Sequence, residues 1–238
     1  MADAGVLRRF DVDAVAFDLD GTLLDTIHDL AAAVNSLLAR GGWTVLPKDT
    51  IRDLVGKGMP NLLRRALALA GAPAQGEAAM ASLLAEYQGI YGELLGRETV
   101  LYPGVVDGLA RIRAGGFKLA VVTNKATRFV RPHLDQAAIG GYFDAIVGGD
   151  DATRKKPDAA PMYLAAERLG VAPSRMLMVG DSGNDVDAAR AAGCPVLVVP
   201  YGYSEGLPVQ NLGGDGIVDS LADVAAILCR ERPIRTST

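Results

Sequence analysis

What this sequence is short of narrows its identity first. Two cysteines in 238 residues, Cys194 and Cys229, stand alone without CxxC spacing. That excludes a disulfide framework and a thiolate metal site, and favours a reducing, cytoplasmic setting. The two histidines, His28 and His133, have no partners at metal or triad spacing and read as structural or surface residues. No apolar run reaches the roughly 18 residues of a membrane span. The opening Met1 to Phe10 mixes acid and base where a secretory leader would need an apolar stretch. No Lys/Arg cluster is interleaved with aromatics and the formal charge is only −4, so nothing asks for a nucleic-acid partner. No segment recurs at the roughly 20- to 50-residue period of a solenoid or propeller. What is plentiful is apolar side chain, half of all residues. That is enough for a sizeable core in one large domain or one domain carrying an insertion.

Short apolar runs alternate with helical patterns. Asp13 to Phe17 reads as a strand and Asp25 to Arg40 as a helix, with Leu30, Val34, Leu37 and Leu38 on one face and Gly41-Gly42 at its end. Helical spacing continues to about Arg97 with no convincing strand after Leu24. From Pro103 the texture changes. Strands are expected at Lys118 to Val122, Ala145 to Val147, Arg175 to Val179 and Pro195 to Val199. The intervening helices are Phe129 to Ala137, Ala159 to Leu169 and Asn184 to Ala192, with a last one near Leu221 to Cys229 and a polar tail from Arg230 to Thr238. This predicts an α/β fold, a doubly wound parallel sheet with an inserted helical cap over its carboxyl edge. The expected division is a core of 1–23 and 98–238 and a cap of 24–97.

The stretch Val15-Ala16-Phe17-Asp18-Leu19-Asp20-Gly21-Thr22 ends a buried strand in two acids and a glycine. In an open α/β sheet the carboxyl ends of the strands form the ligand crevice. Later strand ends offer Thr123 and Asn124, then Lys156, then Asp181 and Asp185. Singly, each has a plainer reading: a helix cap for Thr123, a solvated lysine for Lys156, a first-turn acid for Asp185. Their coincidence at successive strand ends outweighs those readings. So many carboxylates together would raise one another's pKa values, and a hard divalent cation with a lysine compensates them. With oxygen ligands and no nearby His or Cys, the expected cofactor is Mg²⁺. Phosphoryl transfer depends on positioning and charge neutralisation. Thr123, Asn124 and Lys156 can hold phosphoryl oxygens, Asp18 at the strand end is the expected nucleophile, and Asp20 the acid/base.

In this order the motifs resemble the haloacid dehalogenase superfamily of phosphohydrolases over nearly the whole chain. Asp18-Leu19-Asp20-Gly21-Thr22 matches its first motif, Thr123 its second, Lys156 its third, and Gly180-Asp181-Ser182-Gly183-Asn184-Asp185 its fourth. The resemblance implies an aspartyl-phosphate on Asp18. It implies Mg²⁺ on Asp18, the carbonyl of Asp20 and Asp181, with Asp185 supporting it directly or through water. Softer signals resemble the superfamily's phosphoglycolate phosphatases: Gly148-Gly149-Asp150 before Lys155-Lys156-Pro157, Ala191-Ala192-Gly193-Cys194-Pro195, Tyr201-Gly202-Tyr203, and Gly56-Lys57-Gly58 in the cap. Ala159 departs from the frequent Lys-Pro-x-Pro form of the third motif, and adjacent Lys155 competes with Lys156 for its role.

The expected activity is therefore hydrolysis of a small phosphorylated metabolite, 2-phosphoglycolate first, by a cytoplasmic monomer or homodimer. Lys57 and Gly58 of the cap loop would close over the substrate, with Lys57 meeting its carboxylate and Arg64 and Arg65 weaker candidates. The alternatives are a sugar or nucleotide phosphatase, a phosphomutase like β-phosphoglucomutase, a phospho-accepting receiver, or an inactive binding protein. Intact acids at every motif argue against the last.

Overall fold

The computed structural model describes residues 10–229, so the opening segment before Phe10 and the tail expected from Arg230 lie outside the described residues. In chain order, β1 (Ala14–Phe17) is followed by β2 (Leu24–Asp25) and four helices: α1 (Ile27–Arg40), α2 (Lys48–Arg52), α3 (Met59–Leu69) and α4 (Glu77–Leu94). Then come β3 (Val100–Leu101), α5 (Val105–Ala114), β4 (Lys118–Val122), α6 (Thr127–Gln136), β5 (Ala145–Val147) and α7 (Ala160–Leu169). The chain continues through β6 (Met176–Gly180), α8 (Gly183–Ala192), β7 (Val196–Val198), β8 (Gly216–Ile217) and α9 (Leu221–Cys229).

Six strands form one parallel sheet in the order β5-β4-β1-β6-β7-β8. Side chains alternate across it, as a two-residue period requires. Val15, Phe17, Leu119, Val121, Leu177 and Val179 face an apolar cluster shared with α5 and α9. Ala14, Ala16, Ala120, Val122, Met176 and Met178 face a second one shared with α7 and α8. With both faces covered, the strands are continuous apolar runs rather than alternating ones.

Three short strands, β2, β3 and β8, were not expected. β8 adds a sixth strand beside β7, where a two-residue segment containing glycine gives no apolar signal. β2 pairs antiparallel with β3, so Leu24 and Asp25, expected to begin a strandless block, form a small ribbon where the chain leaves and rejoins the sheet. Between them α1–α4 have their own apolar cluster, including Leu30, Val34, Leu37, Leu63, Tyr87 and Tyr91, against which Trp43 packs. Phe129 and Tyr203 enter that cluster from the sheet side.

The register sets the site. Phe17 lies opposite Val121 on one side and Val179 on the other. Asp18 therefore leaves the sheet level with the ends of β4 and β6.

The packing of α5 on α9 is testable. A Cβ on Gly108 would lie 2.6 Å from the backbone of Leu221. Gly108→Ala should cost about 1–3 kcal/mol, the usual range for overpacking, seen as a lower urea midpoint with an unchanged m-value.

Candidate active site

The turn after β1 is built to bring two acids back over the strand end. The Asp18 amide donates to Val179 O at 3.0 Å, and the amides of Leu23 and Leu24 both donate to Leu19 O at 3.0 Å. Gly21 has φ +93°, and a Cβ there would lie 2.3 Å from Asp181 Oδ2. Both the backbone angle and the close approach demand glycine. Next to it, the Thr22 hydroxyl donates to Asp181 Oδ1 at 2.8 Å, and the Tyr203 amide donates to Asp181 Oδ2 at 2.5 Å. Asp181 is thus held from both sides.

Asp185 lies in the first turn of α8 and is fully buried. Its Oδ2 accepts from the amides of Asp181 and Ser182 at 3.2 and 3.1 Å and from the Ser182 hydroxyl at 2.8 Å. Its Oδ1 accepts from Lys156 Nζ at 2.6 Å. The same ammonium donates to Val122 O at 2.6 Å and lies 3.0 Å from Asp18 Oδ1. Of the two adjacent lysines, Lys156 is therefore the one brought to the acids. Lys155 is half-buried, its ammonium 2.9 Å from where a Cβ on Gly58 would stand.

Asn124 and Thr123 are both buried at the end of β4. The Asn124 side chain is spent on structure: it accepts from the Lys156 amide and donates to Lys156 O and Gly56 O, each at 2.9 Å. It clamps the lysine segment and ties the cap loop to the sheet. The Thr123 hydroxyl accepts from the Lys125 amide at 3.2 Å and borders the cavity.

Sequence reasoning passed over Lys125 and Glu205. Lys125 Nζ donates to Asp20 at 2.9 and 3.2 Å and to the Tyr91 hydroxyl of α4 at 2.5 Å, and lies 4.8 Å from the Tyr91 ring centre. Its place immediately after Thr123-Asn124 was the available signal. Glu205 holds Lys57 at 3.0 Å and Arg65 at 3.6 Å and accepts from Asn184 at 3.1 Å. Lys57 is about half exposed, 48% for the side chain, and is not among the residues lining the cavity, whereas Gly58 is. Arg64 is exposed. His133 is buried with Nε2 2.9 Å from the Thr99 hydroxyl, burial and then Lys125 pushing it down to about 4.

Burial, and then Asp185 and Asp20, push the Asp18 carboxyl up to about 6 against the pull of Lys156. Burial likewise raises Asp181, reinforced by Asp185 and Asp18. Asp20 behaves oppositely: burial works against its charge, but Lys125, together with His133 and the hydrogen bonds from Lys125 and Thr26, holds the carboxyl below its ordinary value. Burial opposes the Lys156 charge too, yet Asp18 and Asp185 keep it above the usual lysine range.

Asp18, Asp181 and Asp185 each bring an oxygen within 4.8 Å of the others. Asp18 Oδ1 is buried and, despite lying 3.0 Å from Lys156, has no well-directed hydrogen bond. Four carboxylates face two ammonium groups, an excess of two negative charges. An all-oxygen set with that excess suits a hard divalent cation. The Asp20 carboxylate is turned to Lys125. Beside Asp18 lies a partly open cavity of about 40 Å³, with Asp18, Asp20, Thr123 and Lys125 on one side and Met59 and Leu62 on the other. At roughly 10–15 Å³ per water this holds about three waters.

Known proteins resemble this chain over most of its length. The family model for haloacid dehalogenase-like hydrolases matches residues 15–199. A phosphoglycolate phosphatase of Nitrosospira multiformis is 47% identical over 219 residues, covering 91% of this chain and 96% of that protein. One of Escherichia coli K12 is 39% identical over 234 residues, covering 92% and 93%. Among solved structures, a predicted phosphoglycolate phosphatase from Haemophilus somnus superposes with a TM-score of 0.87 at 34% identity, over 91% of this chain and 98% of that one.

The crowding of carboxylates has a stability signature. Asp18 titrates at 3.8 when free and at about 6 in the folded protein, so across that window the folded chain retains a proton the unfolded chain has lost. Stability of chelator-treated protein should therefore fall as pH rises from about 4 to about 6, with Asp181 contributing in the same direction. At pH 7 added Mg²⁺ should raise the melting temperature. Asp181→Asn should flatten the pH dependence and blunt the Mg²⁺ response.

Proposed function

The chain belongs to the haloacid dehalogenase-like hydrolase family, and from that premise we propose that this phosphatase hydrolyses 2-phosphoglycolate to glycolate and phosphate, in the cytoplasm, through an aspartyl-phosphate on Asp18. The observation that carries the mechanism is the Lys156 ammonium between Asp18 and Asp185, with Asp181 alongside. Support for the substrate comes from the names of the relatives. We also read 24–97 as a cap and 1–23 with 98–238 as the core, supported by the separate apolar cluster of α1–α4.

Asp18 attacks phosphorus, and the bond from phosphorus to the leaving oxygen breaks. Asp20 gives that oxygen a proton, then takes one from the water that attacks the aspartyl-phosphate, restoring Asp18 and releasing phosphate. Lys125 keeps Asp20 ionised in the free protein, the state needed for the second half. For the first half Asp20 must gain a proton, which an arriving phosphoryl dianion favours. Lys156 holds Asp18 in place and, with the Thr123 hydroxyl, meets phosphoryl oxygens. Mg²⁺ held by Asp18, Asp181, the Asp20 carbonyl and Asp185 would neutralise the phosphate, so that one anion can approach another. Closure of the cap excludes bulk water.

Phosphate release from a panel of monoesters with Mg²⁺ tests this. 2-Phosphoglycolate should outrun glucose 6-phosphate, ribose 5-phosphate and AMP in kcat/KM. A wide margin the other way overturns the substrate, and interconversion of glucose 1- and 6-phosphate without phosphate release overturns hydrolysis. Asp18→Asn, checked by mass spectrometry for deamidation, should lose at least about 10³-fold in kcat. Asp20→Asn should lose about 10²- to 10⁴-fold, the range for a general acid or base.

A further inference from the structure

We propose that Lys125 makes this site selective for phosphomonoesters whose leaving group carries a carboxylate, by donating to that carboxylate beside Asp20. This rests on the phosphatase reading above and extends it to a residue that no motif singled out. Among the residues lining the cavity, Lys125 alone is cationic. Its side chain is 1% exposed, and an ammonium so buried is stable only where its donors are matched. Its three N–H groups meet three acceptor atoms, the two Asp20 carboxylate oxygens at 2.9 and 3.2 Å and the Tyr91 hydroxyl at 2.5 Å. The longer Asp20 contact is the one a substrate carboxylate would replace.

Position supplies the selectivity. Asp20 is the group that protonates the leaving oxygen, so that oxygen must sit against it. In 2-phosphoglycolate a single methylene separates this oxygen from the carboxylate carbon, which places the carboxylate within reach of the ammonium 2.9 Å from Asp20. The opposite wall, Leu30, Val55, Met59 and Leu62, is apolar and can contact the methylene but cannot match a charge. Lys57 is engaged by Glu205 outside this lining. Tyr91 belongs to the cap and packs edge-on against Phe129 at 5.2 Å between ring centres. It is a positioning residue that fixes the ammonium when the cap is seated.

The experiment compares kcat/KM for 2-phosphoglycolate and for 2-hydroxyethyl phosphate, in which a hydroxymethyl replaces the carboxylate, with Mg²⁺ present. Wild type should prefer the carboxylate substrate. Lys125→Met should reduce that preference by roughly 10- to 100-fold, the worth of a hydrogen bond to a charged group, while Lys125→Arg should retain most of it. An equal loss on both substrates would mean that Lys125 acts only through Asp20, and overturns the proposal. So does an intact preference in Lys125→Met, or a preference lost in Lys57→Met instead. If Lys125→Met does not fold, Lys125→Gln and Tyr91→Phe are read by the same ratio. Wild-type preference for 2-hydroxyethyl phosphate would overturn the substrate reading as well, which separates the two failures.

Discussion

A buried ammonium shared by Asp18, Asp185 and the Val122 carbonyl is the constraint on which the rest of this structure depends. Three neighbouring strands must end at one level to bring those groups together, and the sheet order β4-β1-β6 does so. The ammonium costs desolvation and is stable only because its acceptors are fixed. Asn124 fixes the Lys156 backbone, and the Ser182 segment fixes Asp185. Remove the lysine and several carboxylates would share a dry pocket with too little positive charge, a state that proteins avoid by protonation or collapse.

The second ammonium answers a different need. Lys125 neutralises Asp20 and reaches Tyr91 of α4, so the proposed acid/base residue is linked to the helical segment beside it. Tyr203 makes a comparable link at the base of the cap. Its hydroxyl accepts from the amides of Thr26 and Ile27 and donates to Asp25, while its own amide holds Asp181. The entry to the first cap helix and a carboxylate of the proposed metal site thus share one residue. The seating of the cap and the shape of the anionic centre are mechanically joined, which suits chemistry that must exclude water.

Much of the architecture was legible from one period. Strands covered on both faces are apolar throughout and stop at polar residues, so Lys118–Val122 and Ala145–Val147 match the expected spans to the residue, and β1 and β6 differ only at their ends. β2, β3 and β8 were invisible for the same reason. Two residues carry no period, and their pairing is decided by a neighbour distant in sequence.

What the sequence determined alone was the set of acids and the lysine at strand ends, because strand ends are written in local apolar pattern and α/β topology sends them to one edge. Only the tertiary structure decided which lysine faces the acids, why Asn124 is a clamp, where Lys57 goes, and that Lys125 stands against Asp20. Each of those depends on a contact between segments tens of residues apart, where a side chain's partner is set by packing in space and leaves no mark in the order of the chain.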